Sequence, residues 1–336
     1  MRIGPIEIEK PLLLAPMEDV TDQAFRIVCK RLGADIVYTE FVNSEGLIRN
    51  SEKTKKKMNF RNEERPLGIQ IYGGEESSME GAARLAEELQ PDIIDINCGC
   101  WVRNVVGCGA GSGLLRDMPK MERIVSAVVR TVKIPVTVKT RIGWDAESIN
   151  IVDIAKMVEQ TGAAAMTIHC RTRAQAHKGE PDFSWIPKAK SAVSIPIIAN
   201  GSLETPEKIQ QVFKETVCDG VMIGRGAIDN PWIFKQAKHF LATSEILSKP
   251  TIEERFRVLM EHLQLSVECK GERKGVIEFR KHYTGYLKGL YGASKVRQEM
   301  MLYVDLEPIM ARILNYRDEL FSHDIIQSYS NHVEAA

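Results

Sequence analysis

Eight short apolar runs, each followed by a segment of helical periodicity, predict an α/β chain built as a (β/α)8 barrel within about 240 residues. Two further observations support that class. The runs read as strands buried on both faces, as helix-covered parallel strands are. Polar residues break into them at their C-terminal ends, which is where a barrel carries its chemistry. Beyond about Pro250 the strand pattern stops and helices dominate, so a barrel domain at 1–244 followed by a smaller all-helical domain at 245–336 is expected. A doubly wound open sheet is the rival. It would need a GxGxxG turn after a strand with an acidic residue at the right distance, and no strand here has one.

In chain order the strand candidates are LLLAPM (12–17), DIVYTE (35–40), PLGIQIYG (66–73), DIIDINCG (92–99), IPVTVKTRIGW (134–144), AAMTIHCRTR (164–173), IPIIANGSL (195–203) and DGVMIGRGA (219–227). Each is short, rich in Ile, Val or Leu and bounded by Gly, Pro or Asp, as strands are. Helix candidates lie between them at 75–90, 112–131, 147–161 and 204–216; the last opens on Thr205-Pro206, a cap followed by Pro. Eight such units make a TIM barrel.

The 336 residues, 44% hydrophobic with 24 Gly and 14 Pro, suit one large and one smaller domain. No stretch has the apolar length to span a bilayer, and no secretory leader is visible in MRIGPIEIEKPLLLAPM. Seven cysteines, an odd number, then read as free thiols of a cytoplasmic protein. Lys plus Arg equal Asp plus Glu at 45 each, so any nucleic-acid binding must rest on the placement of charge.

The polar residues that end the strands are Met17 (a thioether), Glu40, Gln70, Asn97, Lys139, His169, Asn200 and Arg225. Alternation puts Lys139 and Arg141 on one face, and His169, Arg171 and Arg173 on another. Each alone fits an ordinary strand-end residue satisfied by its loop. Together, in one ring, they mark a site. Asn200-Gly201-Ser202 closes the seventh strand and Gly224-Arg225-Gly226 the eighth, where barrels hold phosphate with backbone N–H groups. With Arg225 for bidentate contact, a phosphate-bearing cofactor is the preferred ligand. Lys139 would hold negative charge on a reduced flavin ring, or serve as a Schiff-base lysine.

In the tail, residues 270–298 hold eight Lys or Arg against two Glu. Phe279, Tyr283, Tyr286 and Leu290 fall at helical spacing and should face the core, leaving Arg280, Lys281, Lys288, Lys295 and Arg297 free to meet phosphates. On charge alone a solvated helix face explains the run as well.

Further motifs sharpen the function. LAPMEDVTDQAFR, QIYGGE, DIIDINCGC, GAGSGLLRD, PVTVKTRIGWD, IHCRTRAQAHKGEPDFSWI, IPIIANGSL, DGVMIGRGAIDNPWIF and FRKHYTGYLKGL occur in order over nearly the whole chain. In these the sequence resembles the flavin-dependent tRNA dihydrouridine synthases, most closely their bacterial B branch. The resemblance implies FMN as bound cofactor, NADPH as reductant and a uridine in tRNA as substrate. It places FMN on Pro16, Met17, Glu18, Gln70, Lys139, His169, Asn200, Gly201, Ser202, Gly224 and Arg225, and makes Cys100 the proton donor. Asn97, Arg171 and Arg173 at the strand ends, with Arg280, Lys281, Lys288 and Arg297 in the tail, are the candidate substrate and RNA contacts. No metal and no protein partner is expected.

A thiol suits the role. Reducing the carbon 5 to carbon 6 double bond of uracil takes hydride on one carbon and a proton on the other, and cysteine, with a pKa of about 8.5, is mostly protonated near neutral pH. Cys98 and Cys108 then read as packing or incidental. Metal ligation by all three cysteines leaves a tetrahedral site short of a ligand. Beside Cys100 the chain departs from the family run of Gly-Cys-Pro with a Lys three residues on: here it reads Gly99-Cys100-Trp101-Val102-Arg103-Asn104, so Trp101 puts a large ring near the base pocket and Arg103 offers a neighbouring charge. The rival functions are a flavin-dependent reductase of free pyrimidines or other small molecules, a dihydrouridine synthase acting on rRNA, and a non-catalytic RNA-binding protein that keeps the flavin fold. The basic tail argues against a small substrate.

Overall fold

The structure is a computed structural model and describes residues 1–322. A short hairpin of β1 (Arg2–Ile3) and β2 (Ile6–Glu7) precedes β3 (Leu12–Leu14), β4 (Val37–Tyr38), β5 (Val42–Asn43), β6 (Leu67–Tyr72), β7 (Ile93–Cys98), β8 (Val136–Arg141), β9 (Ala165–His169), β10 (Ile197–Asn200) and β11 (Gly220–Ile223). The large sheet runs β3-β11-β10-β9-β8-β7-β6-β4, and each neighbouring pair is parallel. A parallel bridge from Leu13 to Ile36 joins its first strand to its last. The barrel is closed, and all eight expected strands are in it. β5 pairs with the far end of β6, Val42 against Ile71.

Each observed strand is shorter than its apolar run, because the run continues as a loop once the chain leaves the ladder. The helices follow suit: Glu76–Glu87, Met118–Thr131, Ile151–Gln160 and Pro206–Thr216. The expected 112–131 helix is split. Gly111–Arg116 forms a 3-10 turn, and Asp117 then caps the following helix by accepting from the Lys120 N–H. Thr205 caps Pro206–Thr216 in the same way, through the Lys208 N–H.

The interior of the barrel is a packed core. Ile3 of the hairpin joins Leu13, Ile36, Ile93, Ala165, Ile198 and Met222 there, all fully buried. A second apolar layer fills the space between strands and helices. After β11 the described residues are helical, including Ile233–Thr243, Ile252–Lys270, Glu272–Phe279, Tyr283–Leu287, Ala293–Met300 and Leu306–Ser322. Their core of Phe256, Leu259, Phe279, Tyr283, Tyr286 and Tyr316 takes in Ala24, Ile27 and Val28 of the helix Gln23–Arg31, so it is continuous with the flank of the barrel. Phe279, Tyr283, Tyr286 and Leu290 are buried in it, as their spacing predicts. No helix among the described residues is long and apolar enough to cross a membrane.

Candidate active site

Strand register brings the polar strand ends together. Asn97 lies opposite Lys139, Arg141 opposite His169, and His169 opposite Asn200. Their side chains ring the C-terminal mouth of the barrel around a cavity of roughly 380 Å³. Pro16, Met17, Glu18, Gln70, Lys139, His169, Asn200, Gly201, Ser202, Gly224 and Arg225 line it, and so do Asn97 and Cys100.

The loop after β7 presents Cys100. Asn97 Oδ1 accepts from the N–H of Gly99 (3.0 Å) and of Cys100 (2.9 Å), while the Cys100 carbonyl accepts from Ser112 N (3.0 Å) and Oγ (2.8 Å). Asn97 is itself oriented from the barrel interior: it donates to Gln70 Oε1 at 2.8 Å, and Gln70 donates to the buried Asp95 carboxylate. Asn97, expected against substrate, thus holds the Cys100 loop as well as lining the cavity. Burial raises the Cys100 thiol above its ordinary pKa, so it stays protonated at neutral pH. The other two cysteines of the segment sit elsewhere, Cys98 in the apolar layer and Cys108 exposed.

Lys139, Arg141 and Arg225 line the mouth, with Glu18 and Glu204 among them. Burial and the neighbouring Arg141 bring Lys139 down to about 8, and its Nζ donates to Asn200 Oδ1 at 3.4 Å. Burial first, then Arg141 and Lys139, hold His169 neutral. Burial, with Arg225 and Arg141 behind it, lowers His177 to about 4. Arg141 went unassigned in the sequence, although alternation with Lys139 was the signal for it. Its guanidinium donates to the carbonyls of Gly99, Thr172 and Ala176, tying the loop after β7 to the loop after β9.

On the far side of the cavity, Gly201 has φ +139° and Ser202 φ +42°; a Cβ at Gly201 would press on Pro181 at 3.0 Å. The turn lies in the cavity wall, with Arg225 exposed beside it. Backbone N–H groups, a guanidinium and the single ammonium of Lys139 suit a planar cofactor carrying phosphate. Met17 and Ala15 supply apolar wall.

Several expected contacts lie elsewhere. Arg171 is buried behind the wall, donating to Gly179 O and to Ser202 Oγ at 2.8 Å, so it supports the turn and does not face solvent. Arg173 lies over the Trp144 ring, 4.5 Å from its centre. Arg280 donates to Tyr303 O at 3.1 Å and Lys281 to Asp19 O, so neither is free. Lys288 and Lys295 are exposed and Arg297 is half-buried. Arg103 is exposed and off the cavity wall. Glu40, another strand-end candidate, accepts from the Asp19 N–H at 2.7 Å and faces Lys57.

The family model "Dihydrouridine synthase (Dus)" matches residues 13–318. A protein of Pseudomonas syringae pv. tomato named tRNA-dihydrouridine synthase B is 42% identical over 322 residues, covering 96% of this chain and 94% of its own. One of the same name from Xanthomonas axonopodis pv. citri is 40% identical over 288 residues, 86% of this chain and 87% of its own. A probable tRNA-dihydrouridine synthase of Rickettsia bellii is 36% identical over 325 residues, 96% of this chain and 100% of its own. Among solved structures, the 6-hydroxypseudooxynicotine amine oxidase of Pseudomonas geniculata superposes with a TM-score of 0.56 at 13% identity, covering 79% of this chain and 52% of its own. A variant of NCR from Zymomonas mobilis gives 0.51 at 16% identity, covering 76% and 93%. These last two share the fold. With the family model spanning barrel and helical region alike, the chain belongs to the dihydrouridine synthase family.

Proposed function

We propose that the protein reduces a uridine of folded tRNA to 5,6-dihydrouridine, with FMN bound at the barrel mouth and NADPH as the reductant that recharges it. The observation that carries this reading is that the Cys100 thiol and all eleven residues expected to hold the cofactor line one cavity. When bound, the flavin supplies hydride to one carbon of the uracil double bond. Cys100 gives its proton to the other carbon, across the base, and the thiolate left behind is reprotonated from solvent. Burial keeps the thiol protonated before the reaction, so the donor form is populated at neutral pH, and the thiolate it leaves is basic enough to regain a proton from solvent. Asn97 and Arg141 keep the thiol in place by holding the two ends of the peptide unit that precedes it, Asn97 at the Cys100 N–H and Arg141 at the Gly99 carbonyl.

Lys139 would meet the ring and Gly201, Ser202 and Arg225 the phosphate, an assignment that the place of that turn in the cavity wall and the cation beside it support. A target base has to leave its stack to reach such a site. Residues 1–244 would then carry the chemistry, and residues 245–336 would meet RNA through exposed cations such as Lys288 and Lys295; 323–336 lie outside the described residues.

Purified protein should be yellow, bleach on addition of NADPH and form dihydrouridine in tRNA lacking the modification. A yellow protein that reduces free pyrimidines and leaves tRNA untouched would replace this reading with the small-molecule one.

A further inference from the structure

Next to the acid the mouth carries an aromatic ring that the chemistry of reduction does not use. Trp101 follows Cys100 directly, lines the cavity and is 38% exposed, although an indole is among the costliest side chains to leave in water. Its position is fixed from both sides. The backbone before it is pinned through Cys100 to Asn97 and Ser112. Its Nε1 donates to Nε2 of His177 at 3.3 Å, and the two rings meet edge to face at 5.6 Å and 89°. His177 belongs to the loop after β9, so the pair spans the mouth between two loops. Below it, His169 follows His177 at 6.2 Å, making a row of rings that descends from the rim toward the barrel.

The hydrogen bond satisfies the polar edge of the indole and leaves a flat apolar face at the rim. For that bond His177 Nε2 must be an acceptor, which requires the neutral imidazole protonated at Nδ1. Burial, with the cations around the mouth behind it, favours the neutral ring. A preorganised aromatic face beside a cationic cleft matches a nucleobase, because every base has a π-face to stack and the cations meet its phosphates.

We infer that Trp101 is a stacking platform for a nucleobase of the RNA at the rim of the site, and that His177 is the positioning residue that locks its ring. The inference rests on the function proposed above and names how that site selects RNA over a free pyrimidine. Trp101 acts in binding, and the proton transfer at Cys100 proceeds without it.

Steady-state kinetics on tRNA test this with Trp101→Ala, Trp101→Phe and His177→Ala, alongside flavin content. Stacking of one base corresponds to about a fivefold to hundredfold effect. Trp101→Ala should raise KM for tRNA by that much with kcat within about twofold and flavin content unchanged. Trp101→Phe should recover most of the loss, and His177→Ala should fall between. An unchanged KM in Trp101→Ala, or a loss confined to kcat, overturns the platform. Tryptophan emission supplies a readout without turnover: tRNA should quench the unaltered protein and should quench Trp101→Phe markedly less. If the unaltered protein makes no dihydrouridine, the proposed reaction fails, while Trp101-dependent quenching by tRNA would still support the platform and its absence would overturn that too.

Discussion

The role proposed for Cys100 rests on its surroundings: a cavity on one side, a pinned backbone on the other, and enough burial to keep the thiol protonated. Replacing it by Ala should leave flavin content and reduction by NADPH unchanged and cut dihydrouridine formation by about a hundredfold to ten-thousandfold, the usual cost of losing a general acid. Cys98→Ala and Cys108→Ala should stay within a few-fold of the parent, since one thiol is sealed in the apolar layer and the other faces solvent. Rapid-mixing measurement of the two half-reactions separates these outcomes. Lys139 gives a second test at this scale. An amine held at about 8 is charged at pH 7 and neutral at pH 9. Its support for an anionic reduced ring should therefore be present below pH 8 and fade as pH rises through it. The sign for stability is opposite: the depressed pKa means the ammonium costs folding free energy at low pH, and that cost is relieved between about pH 8 and the unfolded value of 10.5. Lys139→Met should weaken binding of reduced flavin at pH 7 and flatten its change across pH 8. An unchanged pH profile in that variant would return Lys139 to the status of a strand-end residue.

At the level of elements, periodicity was informative only as far as the element continued. Lys139 and Arg141 share the inner face because β8 runs to Arg141. β9 stops at His169, so alternation carried on to Arg171 put it on the substrate face with His169, whereas it turns back behind Ser202. The tail shows the same effect. A continuous helix over 270–298 would expose Lys281, but the chain breaks into Glu272–Phe279, a 3-10 turn Arg280–His282 and Tyr283–Leu287, which swings Lys281 against the barrel loop at Asp19. The hairpin of β1 and β2 and the two-residue β5 are too short to leave a pattern in the sequence. Where the helical region meets the barrel, Gly285 packs so closely that a Cβ would drive into the Ile228 carbonyl oxygen. Gly285→Ala should destabilise the protein by about 1 to 3 kcal/mol, as overpacking does, and lower the midpoint of thermal unfolding. A midpoint equal to the parent's would mean that the two segments part easily.

Over the whole molecule, a net charge of zero conceals an uneven surface. Lys57 is spent on Glu18 within the barrel, and Lys270 and Lys281 on Asp22 and the Asp19 carbonyl at the seam between barrel and helices, while Lys288 and Lys295 stand exposed. Lys288→Glu with Lys295→Glu should weaken tRNA binding and lower its log-log salt slope by roughly one unit for each phosphate that a lysine no longer neutralises, without altering flavin content. A slope equal to the parent's would make these lysines ordinary solvated surface. The barrel and the polar strand ends that ring its mouth were legible because eight repeats and many motifs point the same way. The identity of the RNA was not, because a neutral composition and a broken helix carry no base sequence. The most direct test of the central claim is therefore to map dihydrouridine in total RNA from cells with and without this protein, restoring it either unaltered or as Cys100→Ala. Loss of the modification at a defined tRNA position, restored by the unaltered protein and not by Cys100→Ala, is the predicted result. An unchanged tRNA map, or a lost site in ribosomal RNA, would contradict it.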